Sequence, residues 1–246
     1  MFTLDDRVAL VTGASTGLGA AIAIALSDAG ASVACHGNTH SPQATCEKIK
    51  HSLPLTGDLS HAETPRNLVQ QTIDHFGRLD ILINNAGIIR RAPATEYPEV
   101  DWAAVLEVNL TSVFRLCQLA GKHMIESDRG GKIVNIASLL SFQGGVTVPA
   151  YAASKGGVAQ LTKALANEWA KHRINVNAIA PGYMRTANTA ALQADETRNR
   201  QILERIPAGR WGEPEDVAGA AVFLSSAASD YVNGHVLVVD GGWLGR

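Results

Sequence analysis

Arg7-Val8-Ala9-Leu10-Val11-Thr12-Gly13-Ala14-Ser15-Thr16-Gly17-Leu18-Gly19 is the stretch that decides the fold of this chain. Residues 7–12 form a short apolar run, the pattern of a parallel strand buried on both faces. Three glycines follow at once with the spacing G-x-x-x-G-x-G, and Ala20 to Ala29 reads as an alanine-rich helix ending at Gly30. Strand, glycine loop and helix, in that order, are the context in which a glycine pattern holds a phosphate. Gly13, Gly17 and Gly19 let the backbone turn tightly and approach a pyrophosphate, which rests on the free N–H groups of the helix start. The spacing is not the familiar G-x-G-x-x-G, but its position predicts a dinucleotide site.

Moving outward, apolar runs recur at Ala31–Cys35, Leu53–Thr56, Leu79–Ile83, Lys132–Ile136, Ile174–Ala180 and His235–Val239. Helical spacing fills the intervals, at Gln43–His51, His61–Phe76, Glu99–Ile125, from Pro149 onward, Thr186–Ile206 and Glu213–Ser226. The segment from His36 to Pro42 reads as a loop. Strands alternating with helices predict a parallel sheet covered on both faces. No linker, repeat or low-complexity segment divides the chain. The expectation is one α/β, doubly wound domain over residues 1–246 with a mostly parallel, seven-stranded sheet.

Composition narrows the class. Among 246 residues, 46% are hydrophobic and the formal charge is -2, with a pI near 6.4, as in an ordinary globular protein. No basic stripe points to nucleic acid, and no apolar run reads as long enough to span a bilayer. Met1 to Arg7 leads almost directly into the first strand, so no signal peptide is expected and the chain reads as cytoplasmic. Cys35, Cys46 and Cys117 fit no metal or redox spacing and read as buried thiols. The eight histidines contain no H-E-x-x-H, so no metal is expected.

A second motif carries chemistry. Ser138 stands where the Lys132–Ile136 strand gives out, and Pro149 opens a helix on which Tyr151 and Lys155 are four apart and share a face. A nearby ammonium favours a phenolate and is expected to pull the tyrosine down from about 10, making Tyr151 an acid or base near neutral pH. Ser138 can donate to the oxygen that Tyr151 protonates. The three together describe a carbonyl being reduced or an alcohol oxidised. A lone Tyr-x-x-x-Lys is more often a solvated helix face, so the glycine loop upstream is what gives the motif weight. Asn109, inside a helical stretch, is unfavourable there and reads equally well as an exposed polar position.

Together these residues resemble the short-chain dehydrogenase/reductase family over essentially the whole chain, which implies a Rossmann domain. Thr12 to Gly19 resembles its cofactor loop, and Asn84-Asn85-Ala86-Gly87 its sheet-stabilising motif beside the cofactor. By the same resemblance Asp58, with Leu59, meets the adenine ring, and Pro181-Gly182 and Thr186 close over the nicotinamide. Asn109, Ser138, Tyr151 and Lys155 fall where the family has its catalytic tetrad. The resemblance implies that Tyr151 is the acid or base, that Lys155 lowers its pKa and holds the nicotinamide ribose, that Ser138 polarises the carbonyl, and that Asn109 positions a relay water.

Ala86 to Arg91, Ser138 to Gly145, Ala166 to Lys171 and Ile206 to Gly212 further resemble the 2-dehydro-3-deoxy-D-gluconate 5-dehydrogenase branch, also called 2-deoxy-D-gluconate 3-dehydrogenase. That likeness implies a six-carbon keto sugar acid as substrate and a homotetramer, with Asp240-Gly241-Gly242-Trp243-Leu244 at a subunit interface. The cofactor expected is NAD, with NADP as the alternative. Cys35 to His40 offers neither a carboxylate for the ribose hydroxyl nor an arginine for a 2′-phosphate, and Asn38 to Ser41 could together accept the phosphate. For substrate, Arg90, Arg91 or both are expected to meet the carboxylate, with Gln143 on a hydroxyl and Arg185 in reserve. Alternatively, the arginines are solvated, or pair with Glu96, Glu99 or a neighbouring subunit. Two rival readings stay open: a reductase of another carbonyl compound, β-ketoacyl or steroid-like, and a dinucleotide-binding regulator without activity.

Overall fold

The computed structural model describes residues 1–246. Val8–Val11 forms β1, and all four of its residues are buried. The chain continues through α1 (Gly17–Asp28), β2 (Ser32–Gly37), α2 (Gln43–Cys46), β3 (Ser52–Thr56), α3 (Thr64–Phe76) and β4 (Ile81–Asn84). Next come α4 (Glu99–Leu106), α5 (Ser112–Glu126), β5 (Gly131–Ile136), α6 (Pro149–Trp169) and β6 (Ile174–Pro181). The last elements are α7 (Ala190–Ala194), α8 (Glu196–Arg205), α9 (Pro214–Ser225) and β7 (Val236–Val239).

The sheet has the order β3-β2-β1-β4-β5-β6-β7, and every pairing in it is parallel. Side chains alternate across the pleat, so each strand feeds two cores. Leu10, Leu82, Ile133 and Val176 bury themselves on one face with residues of α3, α5 and α6. Val11, Ile83, Val134 and Ile179 do so on the other, with residues of α1 and α9. The order reverses between β1 and β4, and that reversal opens the crevice where α/β sheets bind ligands.

Four expectations change. His36 and Gly37 belong to β2 rather than to a loop, because Gly37 stays in register with Thr56 of β3. Helix α2 ends at Cys46 instead of running to His51. The polar stretch from Thr186 breaks into a short 3₁₀ turn, α7 and α8, the last begun by Asp195, whose carboxylate accepts from the Arg198 N–H. The long helix from Glu99 is interrupted by a π-helical turn at Glu107–Thr111. That helix, Glu99–Glu126, is also long and apolar enough to cross a membrane, where none was expected. Its buried residues, Val105, Val113, Leu116, Cys117, Ala120 and Met124, face the interior.

Candidate active site

The glycine loop follows β1 without a break. Thr12 accepts the backbone N–H groups of Asn85 and Ala86 on its hydroxyl, at 3.0 and 3.1 Å, so the β1 and β4 ends are tied together. Asn85 Nδ2 closes the tie by donating to the Thr12 and Gly13 carbonyls. A Cβ on Gly19 would stand 2.1 Å from the Gly13 carbonyl oxygen, so only glycine lets α1 approach the loop this closely. Thr16 caps α1 without a side-chain hydrogen bond, which leaves the helix N–H groups facing the crevice.

A cleft of about 600 Å³ runs along this edge. Gly13, Ser15, Thr16, Gly17, Leu18, Asn38, Asp58, Leu59, Asn85, Ala86, Gly87, Tyr151, Lys155 and Thr186 line it, as the sequence led one to expect of a dinucleotide site. Gly19 stands behind it. Pro181 and Gly182 are not on its wall: Pro181 ends β6 in register with Val239, and the Gly182 N–H donates to the Val239 carbonyl at 2.9 Å. A second cavity of about 670 Å³ sits at the opposite, N-terminal ends of the strands, but Arg7–Asp80 and Lys132–Asp230 already pair their charges there.

The sequence reading missed His36. It is 1% exposed, with Nδ1 positioned to accept the Gly13 N–H at 3.4 Å and Nε2 at 2.9 Å from the Gly57 carbonyl. Burial lowers its pKa, so a neutral ring braces the glycine loop from β2. Its assignment to a loop hid it. Only the strand register, which puts every second side chain on one face, reveals it. Gly37 beside it has no room for a side chain, since a Cβ would lie 2.2 Å from both the His40 carbonyl oxygen and Ser15 Oγ. The reason is the Ser15 hydroxyl, which donates to that carbonyl at 2.6 Å.

The chemical end of the cleft is built by β5, α6 and the π turn. Ser138 is extended, and its hydroxyl accepts from the Leu140 N–H at 3.1 Å. Lys155 is 5% exposed and donates to the Ile136 carbonyl at 2.5 Å. Burial brings its pKa down to about 8. The Tyr151 phenol lies against Ser138, with the Lys155 ammonium 5.7 Å from its ring centre. Its pKa is raised above the usual value, mainly by burial, with the Ser138 hydrogen bond and the Arg91 charge pulling the other way. This corrects the expected lowering by Lys155: the ammonium is itself desolvated and spends its bond on Ile136.

Asn109 is fully buried, which removes the exposed alternative. Its Oδ1 accepts from the Ile88 N–H at 2.8 Å, and its Nδ2 donates to the Ile88 carbonyl at 2.9 Å. The π turn aims it there. A single extra residue in the helix rotates one side chain off its face, and such turns cluster at functional sites. The two arginines diverge. Arg90 reaches the cleft wall and pairs with Asp101 at 3.5 Å, rather than with Glu96 or Glu99, whereas Arg91 stands off that wall without an ion-pair partner, its charge favouring the Tyr151 phenolate. Gln143 receives a hydrogen bond from the Trp243 indole at 3.0 Å. Arg185, the reserve candidate, pairs with Glu213 at 2.9 Å. Cys35, Cys46 and Cys117 are buried, as expected.

A dinucleotide fits this cleft. The glycine loop has no side chains in the way, the α1 N–H groups are free, and Lys155 has ammonium hydrogens to spare beyond its bond to Ile136.

A family model described as enoyl-(acyl carrier protein) reductase matches residues 13–244. The 2-dehydro-3-deoxy-D-gluconate 5-dehydrogenase of Dickeya dadantii is 53% identical, over 100% of this chain and 98% of its own length. A protein of Agrobacterium tumefaciens, for which 2-deoxy-D-gluconate 3-dehydrogenase is the assigned but unproven name, was solved with bound NADP. It is 55% identical over 100% of this chain and 99% of its own, with a TM-score of 0.92. A gluconate 5-dehydrogenase from Burkholderia cenocepacia, in complex with NADP and tartrate, is 38% identical with a TM-score of 0.92, over 100% and 98%. Cleft, fold and relatives agree that the chain belongs to the short-chain dehydrogenase/reductase family and is an oxidoreductase using a nicotinamide dinucleotide.

Proposed function

We propose that this chain transfers a hydride between a nicotinamide dinucleotide and a keto or hydroxy group of a six-carbon sugar acid, of the 2-dehydro-3-deoxy-D-gluconate or 2-deoxy-D-gluconate type. The observation that carries it is the split of the arginine pair. Arg90, on the cleft wall, is held by Asp101, while Arg91 is in no ion pair and its charge favours the Tyr151 phenolate. An unpaired cation whose field reaches the proton donor is where a carboxylated substrate would be anchored, and arginine's planar fork suits a carboxylate. The names of the relatives support the same substrate class.

Bound in the cleft, the nicotinamide supplies the hydride in reduction and accepts it in oxidation. The rest falls to the chain. Tyr151 gives its phenol proton to the carbonyl oxygen as the carbon is reduced, and becomes phenolate. Ser138 donates to the same oxygen. Lys155 holds ribose hydroxyls, and Asn109 fixes Ile88 and so the Asn84–Gly87 floor. Because burial keeps the phenol protonated at neutral pH, reduction starts from the ready form.

Either dinucleotide is accepted in this reading. No acidic side chain stands at Gly37 to repel a 2′-phosphate, no arginine is there to hold one, and two of the solved relatives carry NADP. The preference for NAD expected from Cys35 to His40 is tested by kcat/KM with both reduced cofactors; a tenfold or greater preference for NADPH would overturn it. The chain works in the cytoplasm as a homotetramer, a reading supported by Val100, Trp102 and Phe114, apolar and exposed along one long helix.

The substrate reading is tested with a keto sugar acid and its neutral methyl ester. Wild type should strongly prefer the acid, and Arg91→Ala should lose that preference, by roughly 30- to 1000-fold in kcat/KM, while still reducing the ester. Arg90→Ala should keep it. Equal use of acid and ester by wild type would remove the sugar acid.

A further inference from the structure

Gln143 and Trp243 are separated by one hundred residues yet share a hydrogen bond: the indole Nε1–H donates to Gln143 Oε1 at 3.0 Å. An indole N–H can only donate. Its partner on the amide must therefore be the oxygen, and the orientation of the Gln143 amide, ordinarily ambiguous, is fixed. The NH₂ group, with two donors, is turned away from the indole.

Both ends of this contact are held. Gln143 follows the turn that begins at Ser138, and its own N–H donates to the Leu139 carbonyl at 3.0 Å. Trp243 is 6% exposed. It packs with Leu139, Ile202, Ile206 and Trp211, its ring centre lies 4.7 Å from that of Tyr183, and the Arg205 guanidinium stacks on it at 4.0 Å. Asp240 braces the tail by accepting the Gly242 and Leu244 N–H groups, each at 2.8 Å. An amide held at both its backbone and its oxygen loses little freedom on binding, which is the main cost of a long polar side chain in a site.

We propose that Trp243 is a positioning residue: by donating to the amide oxygen, it fixes the orientation of the Gln143 amide so that the NH₂ group is the one presented as a donor to an acceptor oxygen of the substrate, on a carboxylate, carbonyl or hydroxyl. The proposal rests on the reading of Gln143 as a substrate contact. It adds the polarity of that contact and assigns its origin to the C-terminal tail. The chain therefore favours an oxygen acceptor at this position over analogues that present only a donor, such as an ammonium group.

The test is a double-mutant cycle on a keto sugar acid. Trp243→Phe keeps the ring and its packing but loses the N–H. Gln143→Ala removes the amide, and Gln143→Glu keeps the acceptor for Trp243 but has no N–H to give. Trp243→Phe should raise KM about fivefold or more with kcat nearly unchanged. It should do nothing further in the Gln143→Ala background. Gln143→Glu should raise KM at least as much as Gln143→Ala. Melting temperatures and cofactor Kd, measured alongside, should stay within error of wild type. If Gln143→Ala leaves KM unchanged, the reading of Gln143 as a substrate contact fails. If Gln143→Ala raises KM but Trp243→Phe does not, or if the two effects simply add, Trp243 has no positioning role. Gln143→Glu behaving as wild type would overturn the donor assignment.

Discussion

At the scale of single residues, the site sets a half-buried phenol against a buried ammonium. Tyr151 is pushed up by burial and Lys155 down to about 8, so both resist charge in the unliganded cleft. Tyr151→Phe should abolish turnover, by about 10²–10⁴-fold, while cofactor affinity stays within a few-fold, because the glycine loop and Lys155 remain. Retention of more than a tenth of the activity would remove Tyr151 as the proton donor. Lys155 makes a prediction about stability. Its folded pKa lies below its unfolded value of 10.5, so the unfolded chain binds the extra proton between those pH values and stability rises through that window. At pH 7 the buried charge costs roughly 3 kcal/mol, from about 1.4 kcal/mol for each tenfold step. Lys155→Met removes that cost and forfeits one hydrogen bond worth about 1–3 kcal/mol. The cofactor-free variant should therefore be as stable as wild type or more so at pH 7, and fall behind it by pH 10.5. Urea melts at both pH values decide the matter. A variant equally far below wild type at both would show that the charge is not felt.

At the scale of elements, two features shape the cleft. The π turn delivers Asn109 to both backbone groups of Ile88. Asn109→Ala leaves that N–H and carbonyl without partners, which should cost about 2–4 kcal/mol and lower kcat through a loosened β4 end. Chemical denaturation and kcat together check this, and a loss under 1 kcal/mol would mean that water replaces the amide at no cost. The β2 end is the second feature. An acid after the second strand usually selects NAD, but a Cβ at Gly37 meets the His40 carbonyl and Ser15 Oγ. Gly37→Asp should therefore weaken both NADH and NADPH, by tenfold or more, instead of switching preference. Fluorescence titration of the two cofactors would expose a clean switch if one occurred.

For the whole molecule, exposed apolar surface on the long helix Glu99–Glu126 is the feature a single chain leaves unexplained. Trp102 and Phe114 are 39% and 42% exposed. If the chain assembles as proposed, replacing both with Glu should lower the mass that light scattering measures for wild type while leaving helix content intact, and an unchanged mass would place the interface elsewhere. The alternation of strands and helices, the glycine loop after β1 and the Ser138, Tyr151 and Lys155 set were legible in the chain because they are local. Each rests on spacings of a few residues, on pleat alternation or on one helix turn, and these follow from backbone geometry. The chain by itself thus determined the doubly wound fold and the residues at the crevice. What only the tertiary structure decided depends on contacts between distant segments. Asn109 is buried because the π turn points it at Ile88. His36 supports the glycine loop because β2 extends two pairings further along β3. Arg90 and Arg91 part because Asp101 of α4 takes the first. Tyr151 is raised instead of lowered because desolvation outweighs the Ser138 hydrogen bond and the Arg91 charge. The orientation of the Gln143 amide is fixed because a tryptophan one hundred residues on donates to its oxygen. None of these is written in a spacing, since each is settled by which groups the packed chain leaves without water.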